Sequence, residues 1–340
     1  MDIASIKPGL LTTRDEMKIL FGGGNQAGII SSATTPNILI YVDHSSGKKY
    51  GYEDGWLDEE DALGPVFEYT GHGKVGDQTF LGVNGSGNKA VLYHADDPGK
   101  SLRVFMATGK VPGGGSSAKQ QRYVGEFALD RKQPYTVREA LDERGAKRCI
   151  IVFRLRPSGD YERLPQDVIS RAENTEARPV LARVAATRLD EPKLTQPKRK
   201  KVSESRRAAQ PSLIADLRQA ALREDYLNEL TEQGHDVFAF QIKIAETSKI
   251  LKTDLYDASM RELYAIRGDS SREEVRVAVG QLKDLVRHVI PAKPKLVTLL
   301  PNKPQDDLIN LLHAEGIDLI YQDGTQYTRY PSNSHPTSSE

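Results

Sequence analysis

The chain has 340 residues, 47 Lys/Arg against 47 Asp/Glu, 38% hydrophobic and 28% charged residues. At roughly 150 residues per domain this is material for about two domains, and the balance excludes full disorder and any bulk attraction to polyanions. No apolar run approaches the roughly 18 residues that span a bilayer, and residues 1–7 carry no basic-then-apolar export signal, so a cytoplasmic protein without membrane contact is expected. The single Cys149, followed by Ile150, Ile151, Val152 and Phe153, excludes an internal disulfide framework or a multi-cysteine zinc site and reads as a buried thiol on a strand.

Glycine divides the chain, with 23 of the 28 in residues 1–159. In that half, β-rich runs at 37–42, 66–70, 89–94, 102–108, 123–129 and 149–156 alternate with Gly/Asp/Ser turns, and 135–145 is expected to add one helix. Residues 192–207 hold seven Lys/Arg against Glu204, with prolines at 192 and 197 and no apolar period, which reads as a flexible basic linker. Beyond it the pattern predicts helix 211–232, strands 237–245, 249–256 and 261–267, helix 271–288, strand 295–300, helix 305–314 and strand 317–321. The expected division is 1–165, a linker at 166–210, a second domain at 211–330 and a disordered tail at 331–340.

Three elements follow one another in the first half: Gly51-Tyr52-Glu53-Asp54-Gly55-Trp56, Tyr69-Thr70-Gly71-His72-Gly73 and Asn88-Lys89-Ala90-Val91-Leu92. Over about residues 20–155 the chain resembles the SRA family of modified-cytosine readers, in the form found in bacterial McrA-type restriction proteins. The resemblance implies that one modified cytosine is flipped out of double-stranded DNA, which demands aromatic faces in place of lost stacking and polar groups in place of lost pairing. It implies that Tyr52 and Tyr69 sandwich the base, that Asp54 accepts from the cytosine amino group and that Thr70 lies near the 5-substituent, with Trp56 and Asn88 completing the site. Read singly, the tyrosines are more readily sheet aromatics than pocket walls, and Trp56 is equally a core residue.

Residues 46–99 carry 4 Lys/Arg and 10 Asp/Glu, whereas 100–156 carry 13 and 5. The second set is therefore expected to meet DNA phosphates through Lys110, Lys119 and Arg122 around the Gly113–Ser117 loop, and Lys198, Arg199, Lys200 and Lys201 of the linker are expected to add to it.

In the second half, the order of elements with Thr253-Asp254-Leu255-Tyr256-Asp257, Leu263-Tyr264-Ala265-Ile266-Arg267 and Gln281-Leu282 resembles the PD-(D/E)XK nucleases. The resemblance implies Mg²⁺, or Mn²⁺, held by Asp254, with Gln281 on the following helix belonging to the catalytic set. Ala265 stands where the second carboxylate belongs and Arg267 where a lysine belongs. Alanine cannot ligate a metal, and arginine is a poor proton acceptor. Glu262 lies three positions from Ala265, a spacing that points to the opposite face of a strand.

The expected fold class is α+β with two domains: an N-terminal β-rich SRA-like barrel or sandwich and a C-terminal α/β restriction-endonuclease-like fold. The expected function is type IV, modification-dependent recognition of double-stranded DNA in the bacterial cytoplasm, with a metal-dependent endonuclease domain of altered motif. The alternative is a non-catalytic reader whose second domain serves assembly or recruitment. Oligomeric state is left open, a homodimer included.

Overall fold

The computed structural model describes residues 3, 6–96, 99–111, 118–185 and 204–332. The Gly113–Ser117 loop, the linker cations Lys198, Arg199, Lys200 and Lys201, and the tail from 333 onward lie outside the described residues. The chain divides into a first unit built on residues 1–172 together with 246–249, and a second unit that starts at Glu173.

The first unit opens with strand β1 (Leu11–Thr12) and helix α1 (Arg14–Phe21). Thr13 and Glu16 close a reciprocal capping box over the helix start, and Met17 and Phe21 enter the core. Then come β2 (Ile29–Ser31), β3 (Asn37–Val42), the short α2 (His44–Gly47), β4 (Gly55–Trp56), β5 (Phe67–Thr70), α3 (Ser86–Leu92), β6 (Ser101–Lys110), β7 (Lys119–Leu129), β8 (Tyr135–Leu141) and β9 (Lys147–Tyr161). They form one mixed sheet of order β2-β3-β6-β7-β9-β5-β4, with β1 added on β7 and β8 on β9. β3 and β6 run parallel and the other pairs antiparallel. Cys149 is a buried thiol on β9, in an apolar run that continues to Phe153.

Two local expectations are corrected here. The stretch 89–94 is not a strand: Ser86–Leu92 is helical, with Asn88 and Val91, one turn apart, buried. The stretch 135–145 is not a helix. Tyr135–Leu141 pairs with β9 from Tyr135↔Phe153 to Leu141↔Lys147, and the turn at Asp142–Ala146 reverses the chain. Asp142 accepts from the Arg144 and Ala146 amides while Gly145 takes a positive φ, so turn chemistry outweighs the helix-compatible Arg138–Leu141.

The second unit contains β10 (Glu176–Leu181), α4 (Glu204–Glu232), β11 (Val237–Lys243), β12 (Ile250–Lys252), β13 (Leu255–Asp257), β14 (Glu262–Ile266), α5 (Arg272–Leu285), β15 (Lys295–Leu300), α6 (Asp306–Ala314), β16 (Ile317–Asp323) and β17 (Gln326–Tyr330). Its sheet has the order β10-β11-β13-β14-β15-β16-β17, with β12 on β11. The parallel steps β14–β15 and β15–β16 are the ones crossed by α5 and α6, as parallel pairing requires. Leu263, Ala265, Val275, Ala278, Leu282, Leu308 and Leu312 form the core on the α5/α6 face, and Leu222, Tyr226 and Leu230 of α4 pack with Tyr264 and Ile266 on the other.

Glu176–Leu181, inside the stretch expected to be linker, is instead a strand paired with β11 over six residues. The expected strand 249–256 is interrupted at Thr253-Asp254, because the Thr253 hydroxyl accepts from the Phe240 amide at 2.9 Å and its own amide donates back to the Phe240 carbonyl. Among the described residues no helix is long and apolar enough to cross a membrane.

Candidate functional site

In the first unit the antiparallel pair β4–β5, with Gly55 opposite Glu68, sets Asp54 and Thr70 side by side. Gly55 has φ +147°, and a Cβ there would lie 2.4 Å from the Asp167 carbonyl, so the strand that carries Asp54 tolerates only glycine at this point. One Asp54 carboxylate oxygen accepts from the Thr70 amide at 2.7 Å. Burial pushes the Asp54 carboxyl up to about 6, against the opposing hydrogen bonds from Thr70. Tyr69 is 5% exposed, and burial together with the neighbouring Asp54 raises its phenol. The Tyr52 phenol is raised mainly by burial, is also affected by Asp54, and donates to the Gly73 carbonyl at 3.4 Å. Tyr52, Asp54, Tyr69 and Thr70 are thus brought into one neighbourhood: a partly exposed carboxylate whose charge reaches two phenols.

Four other residues expected at the DNA surface do different work. Trp56 is fully buried, with its ring against Phe67, Phe127 and Tyr161; it is a core residue and not a pocket wall. Asn88 is also fully buried. It accepts from the His72 amide at 2.6 Å and donates to the His72 and Thr79 carbonyls, so it holds the loop after β5 and has no edge left for a base. Arg122 is 6% exposed and forms ion pairs with Glu162 and Asp167, which removes it from any phosphate. Lys119 is tied to Asp43 at 2.6 Å and to the Ser45 hydroxyl at 2.7 Å, whereas Lys110 is exposed.

The sequence reading missed the groups that shape this loop. Gln78 donates to the Gly71 and Gly73 carbonyls and accepts from the Ile151 amide. A Cβ on Gly71 would lie 2.8 Å from the Asn88 oxygen and 3.0 Å from the Gln78 oxygen, which explains the glycine directly after Thr70. Arg148 is 1% exposed and donates to the Gly73 and Gly76 carbonyls and to the Tyr52 hydroxyl. His44 Nε2 lies 2.8 Å from the Asp54 carbonyl. No spacing rule connects these residues, since each reaches the loop from a different element.

In the second unit, Asp254, Arg267 and Gln281 also meet. Asp254 Oδ2 accepts from the Ile266 amide at 2.8 Å, lies 3.5 Å from the Gln281 amide nitrogen and stands 3.7 Å from the Arg267 guanidinium. Ala265 is fully buried in the α5-side core. Glu262 faces the other side of β14, where Arg329 holds it at 2.6 and 3.1 Å and the Tyr264 hydroxyl donates to it at 2.6 Å. Among the described residues no group of three His, Cys, Asp or Glu side chains could hold a metal. Mg²⁺ demands near-octahedral oxygen coordination anchored on carboxylates, and one aspartate already facing an arginine does not fit it.

Residues 9–177 match the family model of the ScoMcrA-like SRA domain. No curated protein matches the chain. Among solved structures the chain is similar to the type IV phosphorothioation-dependent restriction endonuclease ScoMcrA, at 22% identity and TM-score 0.33, over 46% of this chain and 27% of that one. It is also similar to the DNA recognition domain of the cytosine modification-dependent restriction endonuclease LpnPI, at 15% identity and TM-score 0.29, over 44% of this chain and 69% of that one. A third similarity is to the DNA modification-dependent restriction endonuclease AspBHI, at 11% identity and TM-score 0.34, over 94% of this chain and 90% of that one. The chain therefore spans about a quarter of the length of ScoMcrA. Residues 9–177 are an SRA domain of the ScoMcrA type.

Proposed function

We propose that residues 9–177 read a modified cytosine in double-stranded DNA, in the manner of a type IV restriction protein, by flipping the base into the site formed by Tyr52, Asp54, Tyr69 and Thr70. The observation that carries this reading is Asp54, a carboxylate held on Thr70 and electrostatically coupled to two phenols inside a domain that matches the SRA family. Extrusion of a base costs on the order of a few kcal/mol in lost stacking and pairing. The two phenol rings supply apolar faces, and ionised Asp54 accepts from the exocyclic amino group. The test is titration of the whole chain with duplexes that differ only in one cytosine: unmodified, 5-methyl or 5-hydroxymethyl. Tighter binding of a modified duplex is expected, with Tyr69→Ala losing about 1–3 kcal/mol of that preference. Equal affinities, or an unaltered preference in Tyr69→Ala, refute the pocket.

For the second unit we propose a PD-(D/E)XK-like domain whose Mg²⁺- or Mn²⁺-dependent cleavage is crippled at position 265. Ala265 offers no ligand, and the contact of Arg267 with Asp254 supports a cation built into the protein in place of a bound one. The same contact favours the second reading, a non-catalytic reader whose second unit serves assembly or recruitment. Nicking of modified duplexes in the presence of Mg²⁺ or Mn²⁺ separates the two.

A further inference from the structure

Arg148 stands at the start of β9, next to the apolar run Cys149–Phe153, yet only 1% of it is exposed. A buried guanidinium normally requires a carboxylate to offset its desolvation, and among the described residues none lies at ion-pair distance from it. Its donors go to neutral oxygens instead: the Gly73 carbonyl at 2.8 Å, the Gly76 carbonyl at 3.2 Å, the Leu141 carbonyl at 3.4 Å and the Tyr52 hydroxyl. These acceptors belong to three segments distant in sequence. One carries an aromatic residue of the proposed pocket, one is the turn that follows Thr70-Gly71, and one is the end of β8. The Tyr52 ring rests on Ala140, Ile150 and Val152, and its hydroxyl is 3.4 Å from the same Gly73 carbonyl. A planar fork with several fixed donors can hold such a set of oxygens in register, which a flexible lysine ammonium does less well.

We infer that Arg148 is a positioning residue of the base pocket, its guanidinium locking the Tyr52 phenol to the 73–76 turn so that the aromatic wall is set before DNA arrives. The inference rests on the pocket reading above. Pre-set geometry improves binding of the ligand that uses the pocket and leaves untouched the phosphate contacts made by any duplex.

The experiment uses the full chain and fluorescence anisotropy with plain, 5-methylcytosine, 5-hydroxymethylcytosine and phosphorothioate duplexes, alongside thermal melting. Arg148→Met and Tyr52→Phe are each expected to lower the modified-to-plain affinity ratio by about tenfold. The double variant is expected to be no worse than either single one, because both remove the same link. Arg148→Lys is expected to recover part of the ratio. Tyr52→Phe deletes one oxygen and carries the test if Arg148→Met does not fold. Full preference in folded Tyr52→Phe or Arg148→Met, strictly additive losses, or an equal loss on every duplex overturns the inference. Loss of preference in Tyr69→Ala alone, with Arg148→Met and Tyr52→Phe unaffected, removes this inference and leaves the pocket standing; absence of preference in the wild type removes both.

Discussion

If Asp54 serves the proposed base pocket, recognition and stability should move in opposite directions when it is changed to asparagine. Its carboxyl sits at about 6 against an ordinary 3.8, the dominant cause being burial. The folded state thus binds this proton more tightly than the unfolded chain, so stability falls as pH rises from 3.8 to 6 and is flat above. At 1.36 kcal/mol per pH unit, the penalty at neutral pH reaches about 3 kcal/mol. Asp54→Asn removes the charge and keeps an oxygen able to accept from the Thr70 amide. Chemical denaturation should therefore show the variant more stable than wild type at pH 7, by up to about 3 kcal/mol, with the difference vanishing near pH 3. Binding should go the other way. If ionised Asp54 accepts from the base, wild-type affinity for the modified duplex should be about tenfold lower at pH 5 than at pH 7, and the variant should bind weakly with no such dependence. A variant less stable than wild type at pH 7, or a wild-type affinity that falls as pH rises, would refute the reasoning.

Three further outcomes follow from contacts already described. Trp56→Ala should cost about 3–5 kcal/mol in denaturant unfolding as a core truncation, and a folded variant whose only defect is lost discrimination between duplexes would return Trp56 to the pocket wall. Arg122→Ala leaves the Glu162 and Asp167 carboxylates without their shared cation and should destabilise by about 3–5 kcal/mol; the salt dependence of plain-duplex binding should stay as it was, since a smaller slope would mean that Arg122 touches phosphate after all. Ala265→Glu, with or without Arg267→Lys, should raise cleavage of modified DNA in Mg²⁺ or Mn²⁺, with Asp254→Asn abolishing the gain, while strong cutting by the unaltered chain that survives Asp254→Asn contradicts the assignment of the site.

What was legible in the sequence was whatever depends on short-range pattern. The buried run at Cys149–Phe153 and the apolar stripes of α5 and α6 were readable by periodicity, whereas the motif order around Tyr52 and Tyr69 was readable only as a resemblance to the SRA family. The outward turn of Glu262 from the Asp254 side was readable by periodicity too, because alternation along β14 decides it. The failures concern residues whose role is set by partners far along the chain. Arg122 looked like a phosphate contact because the neighbouring sequence is basic, yet its two acids are 40 and 45 positions away. Asn88 looked like part of a base site and is spent on backbone groups 9 and 16 residues earlier. Tyr135–Leu141 has no strong period of its own and became a strand because β9 was there to pair with it.

The hold of Arg329 on Glu262 has a consequence for the order in which the protein is made. Glu262 sits fully buried in the middle strand of its sheet, and the guanidinium that answers it is encoded 67 residues later. At roughly 5–20 residues per second a ribosome needs about 3–13 s to travel that distance. Throughout that interval β11, β13 and β14 exist without the cation that makes the burial of Glu262 affordable, and Tyr264 offers it only a hydroxyl. The Glu262–Arg329 pair of the second unit can therefore form only after β17 has emerged, whereas the last strand of the first unit's sheet ends at residue 161. During synthesis every strand of the first unit's sheet is thus made before the strand that carries Arg329.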